Sequence, residues 1–189
     1  MTSAPTLRDL YSSQLELIQG DPTAPQVTDL GEDRGWLLRT GVPDVVQPFL
    51  TRTPTDDADL AAYAGLDAAA AAVLLSRLTD AQLADRQNAA PTLGTLLRAA
   101  AEHPEDIEVH GYLVGPARRD ERLTAEGIDI YGLPDLDITA GHHAGCECDL
   151  LFTLVQELGV AYAEWPPDSM ALHVNPWRPN ETCWRLWWD

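Results

Sequence analysis

Ile107-Glu108-Val109-His110-Gly111-Tyr112-Leu113-Val114 decides the fold class. Eight residues rich in branched and aromatic side chains read as a strand, and they mark where the chain changes character. Upstream, from Asp59 to Glu102, the pattern is helical. Asp67 is placed to cap a helix over 68–78, Thr79-Asp80-Ala81-Gln82 is a capping-box pattern, and Pro91 suits the first turn of a third helix. In that third helix Leu93, Leu96, Leu97 and Ala100 share one buried face. Downstream, residues 127–131, 135–139, 160–165, 170–174 and 182–188 are strand-like. One mostly apolar helix over 147–158 interrupts them and ends at Gly159. A helical run followed by strands predicts the α+β class, with a C-terminal, mostly antiparallel sheet packed by helices on one face.

The N-terminal part is mixed. Residues 1–20 read as a helix through Leu7, Leu10, Tyr11, Leu15 and Ile18, closed by Gly20 and Pro22. Residues 26–30 and 36–40 read as the arms of an N-terminal hairpin around Gly31-Glu32-Asp33-Arg34-Gly35. The polar stretch 51–57, holding Pro54, is the best linker. The expectation is one domain over 1–189, with any sub-boundary near 51–57.

Charge narrows the function. The chain of 189 residues carries 30 Asp plus Glu against 12 basic residues, all Arg, for a formal net charge of −18. That excludes general binding to a nucleic-acid backbone, which depends on cations displacing counterions. The absence of Lys excludes a Schiff-base lysine and a Walker-type phosphate loop. It also fits the codon use of a GC-rich bacterial genome. A hydrophobic share of 45% is enough for a sizeable core. No basic n-region precedes an apolar run, and the longest apolar stretch, 68–75, is far short of the ~20 residues of a membrane span. Three cysteines, two of them one residue apart, argue against a disulfide framework and for a reducing cytoplasm. Such an acidic surface keeps the protein solvated, adapts it to high salt, or docks onto a basic partner protein.

Two clusters carry chemistry. His142-His143-Ala144-Gly145-Cys146-Glu147-Cys148-Asp149 is the densest run of metal-ligating side chains. Thiolates with imidazoles suit Zn²⁺, making His142, His143, Cys146 and Cys148 the candidate ligands. The bland reading is that the cysteines pack under the helix and the histidines are solvated. A thiol nucleophile is a third reading. Cys146 or Cys148 at a helix start would have a lowered pKa, His173 would act as base, and Asn175 would orient it. If 170–174 pairs with 182–188, alternation puts Met170, Leu172 and Val174 with Trp184, Leu186 and Trp188. His173 then joins Cys183 and Arg185 on the opposite face.

The second cluster is aromatic. Five of the six Trp fall in the last 25 residues. Core packing accounts for some of them, but Asn175-Pro176-Trp177-Arg178-Pro179-Asn180 offers a Trp beside an Arg, and Trp187 alternates with Trp184 and Trp188. Trp177, Arg178 and Trp187 are therefore the partner-binding candidates. The stretch from Leu123 to Ile138 resembles a turn found in several uncharacterised bacterial families and implies no activity. The leading expectation is a non-enzymatic interaction protein, of inhibitor or immunity type, that binds a basic partner. The alternative is a metal-dependent or thiol hydrolase built on 142–148.

Overall fold

A computed structural model describes residues 5–52, 54, 60–139, 143–161 and 163–189. The fold is α+β, with seven α-helices among the described residues and a five-stranded antiparallel sheet. The strands are β1 (Ala61–Leu66), β2 (Ile107–Val114), β3 (Arg122–Tyr131), β4 (Ser169–His173) and β5 (Cys183–Trp187), in the order β1-β2-β3-β5-β4. By density of contacts the chain divides into two compact units. Unit 1 is residues 1–63 with 112–123, and unit 2 is 64–111 with 124–189.

Unit 1 holds α1 (Leu7–Gly20), α2 (Trp36–Thr40), α3 (Val42–Val46) and a 3-10 turn at Gln47–Phe49. A capping box starts α1. Asp9 N donates to the Thr6 hydroxyl at 3.1 Å, and Thr6 N donates back to the Asp9 carboxylate at 3.0 Å. Leu7, Tyr11, Trp36, Leu37, Val42 and Val46 form its core. The expected hairpin is corrected here: only a single bridge, Val27 to Asp33, forms, and the second arm is α2. The reason lies outside the local sequence. The Glu121 carboxylate accepts from Gly35 N at 2.7 Å and Leu37 N at 3.1 Å, so the first N–H groups of α2 have partners without any strand pairing. Gly35 and Gly41, at φ 77° and 72°, bound the helix.

Unit 2 holds α4 (Ala68–Arg77), α5 (Asp80–Leu83), α6 (Leu93–Glu102) and α7 (Cys148–Glu157). Asp67 caps α4 by accepting from Ala70 N at 2.8 Å, and Thr79 with Gln82 makes the capping box of α5. Thr92, not Pro91, sits at the α6 start and caps it, leaving Pro91 one residue before the cap. Strand β1 lies within the stretch read as helical. Its Ala-rich sequence favours helix, but its burial alternates and Gly65 has φ 72°, against helical geometry. The Gly65 backbone lies under the Trp177 indole, so a Cβ there would meet the ring.

Residues 135–139 are not a strand. Asp137 N donates to the Glu147 side chain at 2.7 Å instead of to a neighbouring strand. The described part of 160–165 is likewise irregular, and residue 162 lies outside the described residues.

The C-terminal hairpin has the two faces read from alternation. Met170 pairs Leu186, Leu172 pairs Trp184, Ala171 pairs Arg185, and His173 pairs Cys183. Strand β5 then pairs β3, with Ile128 opposite Leu186, Asp129 opposite Arg185, and Tyr131 opposite Cys183. One face of the sheet therefore carries Ile128, Ile130, Trp184 and Leu186. The other carries Asp129, Tyr131, Cys183, Arg185 and His173.

Candidate functional site

The polar face of the sheet in unit 2 is closed into one hydrogen-bonded cluster around Asp129, which is 0% exposed. Arg185 approaches side-on. Its Nε donates to Asp129 Oδ1 and its Nη2 to Oδ2, both at 2.7 Å. This is the bidentate fork that planar guanidinium makes with carboxylate. Asn175, from the segment after β4, donates from Nδ2 to Asp129 Oδ2 at 3.0 Å and to the Tyr131 oxygen at 2.6 Å. Its Oδ1 accepts from Arg185 at 2.9 Å. Tyr131 donates to Glu108 Oε2 at 2.9 Å, and the same oxygen accepts from the Trp177 indole at 2.8 Å. Arg178 lies 3.8 Å above the Tyr131 ring and is paired with Glu181 at 2.9 Å.

His110, on β2, stands over Gly127 of β3, where any Cβ would strike the imidazole. Its Nδ1 lies 4.0 Å from Asp129, beyond hydrogen-bond reach, and neither ring nitrogen has a hydrogen-bond partner among the described residues. Burial lowers the His110 pKa to about 4, with Asp129 opposing and Arg185 and His173 adding to the drop. For Asp129, burial pushes the carboxyl up, but the Arg185 hydrogen bonds and the charges of His110 and Arg185 outweigh it, and the net shift is downward. Burial, with Asp129 nearby, pushes the Cys183 thiol up to about 12, so it stays protonated at neutral pH and is no nucleophile there.

Trp177 and Arg178 thus have internal roles, bonding Glu108 and covering Tyr131, while Trp177 as a residue stays 44% exposed. Trp187 is half-buried, and its indole donates to Glu126. Trp184 and Trp188 are core residues whose indoles donate to Pro134 O at 3.1 Å and Trp165 O at 3.0 Å.

The His/Cys run is only partly brought together. His142 lies outside the described residues. Cys146 and Cys148 are joined to each other by a disulfide, and in that form their sulfurs are neither thiolate ligands nor nucleophiles. The Nε2 of His143 faces Asp137 at 3.4 Å. Among the described residues, no three of His, Cys, Asp and Glu converge as a metal would need. Nor does His173 meet the cysteines. Cys148 shares a cleft with Met170, and His173, three positions along β4, points to the opposite face, where Asn175 is committed to Asp129 and Tyr131.

The cluster around Asp129 was not anticipated. Its trace in the sequence is that Glu108 and His110 alternate with Ile107 and Val109, and that Asp129 lies between Ile128 and Ile130. Comparison with protein-family models, curated proteins and solved structures gives no match for this chain. No helix among the described residues is long and apolar enough to cross a membrane.

Proposed function

We propose that this chain is a non-enzymatic interaction protein, of inhibitor or immunity type, that binds a basic protein partner through unit 2. The observation that carries this reading is where the charges fall. Unit 2 has 18 acidic residues against 5 Arg, a net of −13, whereas unit 1 has 12 against 7, a net of −5. Three of the five Arg in unit 2 are tied to its own carboxylates, Arg86 to Glu164, Arg178 to Glu181 and Arg185 to Asp129. Of the other fifteen carboxylates of unit 2, ten are exposed, and a one-signed surface steers and selects an oppositely charged partner. Exposed aromatic and aliphatic side chains in the same unit, Trp165 (69%), Leu172 (51%) and Val174 (50%), supply the apolar contact that charge alone does not.

Titration calorimetry against a panel of basic proteins tests the reading. Saturable, stoichiometric binding to a subset is expected, weakening about tenfold or more between ~50 and ~200 mM salt. Binding that does not saturate, or that fails to distinguish these proteins from poly-arginine, would reduce the acidic surface to a solubility device.

A further inference from the structure

Strand β4 ends the sheet, with β5 on one side and no strand on the other among the described residues. Half of its backbone N–H and C=O groups therefore face away from the sheet. Exposed edges are usually blunted by charged residues or Pro. Within Ser169-Met170-Ala171-Leu172-His173 there is no Lys, Arg, Asp, Glu or Pro, and one face carries the half-buried His173 with Ser169 and Ala171, which are small and exposed.

The other face is shaped. Met170 lines a cleft of about 170 Å³ with Ile138, Pro167 and Asp168. Leu172 lines a second, of about 280 Å³, with Leu133, Trp184 and Asp135. Met170 and Leu172 are two residues apart, so both clefts open on the same side of one edge strand. Each combines apolar side chains in its wall with one exposed carboxylate, Asp168 or Asp135. An arginine matches that pairing, since its aliphatic stem packs on apolar surface while the guanidinium reaches the acid.

We propose that β4 is the docking edge for an extended segment of the basic partner. The segment adds as a sixth strand and places two arginines, separated by one residue, in the Asp168 and Asp135 clefts. Main-chain pairing supplies affinity and the alternate side chains supply specificity, as in other strand additions. The proposal rests on the basic-partner reading above and adds to it a site and a sequence pattern.

The test uses the full chain and two blocked Thr/Val-rich peptides, one with Arg-x-Arg and its isomer with the two Arg adjacent. Affinity is measured by calorimetry and amide exchange of β4 by mass spectrometry. The Arg-x-Arg peptide is expected to bind about fivefold or more tighter than its isomer. Asp135→Asn and Asp168→Asn should each cost it about fivefold, and exchange at 169–173 should slow in the complex. Equal affinity for the isomer with β4 unprotected would overturn strand addition while leaving the basic-partner reading standing. Absence of binding by both peptides and by every basic protein of the panel would remove both. Protection of β4 without peptide, together with a dimer in sedimentation, would assign the edge to a second copy of this chain and overturn the proposal.

Discussion

Each unit buries a carboxylate completely, and each satisfies it differently. In unit 1, Glu121 is held by backbone N–H groups of Gly35 and Leu37 at the start of α2, and the Trp36 indole donates to the Glu121 carbonyl at 3.1 Å. In unit 2, Asp129 is held by side chains, the Arg185 fork and Asn175, with His110 standing beside it unbonded. The titrations diverge accordingly. Burial is the largest influence on Glu121, and its backbone donors do not offset it, so its pKa rises. Burial also raises Asp129, but a full opposing charge in contact overrides it, and its pKa falls. Partial backbone charges position a buried carboxylate, whereas a bidentate guanidinium also keeps it ionised.

The largest effect is expected at Arg185. Arg185→Met leaves Asp129 buried and uncompensated, and should cost about 3–5 kcal/mol in urea unfolding. Pairing it with Asp129→Asn should recover much of the loss. A double variant as unstable as the single one would show that Arg185 acts by packing, not by neutralising Asp129.

His110 comes next, through pH. Its folded pKa, about 4, lies below the ordinary 6.5. As pH falls from 6.5 toward 4 the unfolded chain takes up a proton that the folded chain refuses, so stability is lost across that window. The loss attributable to this group is about 3 kcal/mol. Comparing urea midpoints at several pH values, His110→Leu should flatten the curve between pH 7 and 4. An unchanged slope would mean that the imidazole is not held neutral. Asp129, with its lowered pKa, contributes stability above its ordinary range that disappears only at still lower pH.

Glu121→Gln should be smallest, about 1 kcal/mol at neutral pH, since one acceptor for the α2 donors remains. Its pH signature has the opposite sign. The raised pKa of Glu121 means that its contribution is fully present below about pH 4.3 and is lost as pH rises through the folded value. The stability gap between wild type and variant should therefore widen in favour of wild type on acidification. A gap that narrows instead would show that Glu121 is ionised without strain.

What could be read in the sequence was local or periodic. The caps at Asp67 and Thr79, the strand over Ile107–Val114, the helix starting near Cys148, and the sharing of one face by Met170, Leu172, Trp184 and Leu186 and of the other by His173, Cys183 and Arg185 each depend on a few neighbouring residues or on alternation. The α+β class followed from those pieces, and the acidic surplus followed from counting. Three things depended on residues distant in the chain. Residues 36–40 became helix because Glu121, 84 residues beyond Leu37, supplies the acceptor for its first N–H groups. Residues 61–66 became strand against an Ala-rich helical pattern. The polar cluster formed because three strands and the segment after β4 bring Glu108, Asp129, Asn175 and Arg185 to one face. Propensity and spacing act over a turn or two of chain. A buried charge takes its partners from wherever the fold delivers them, because leaving it alone costs more than any local preference returns.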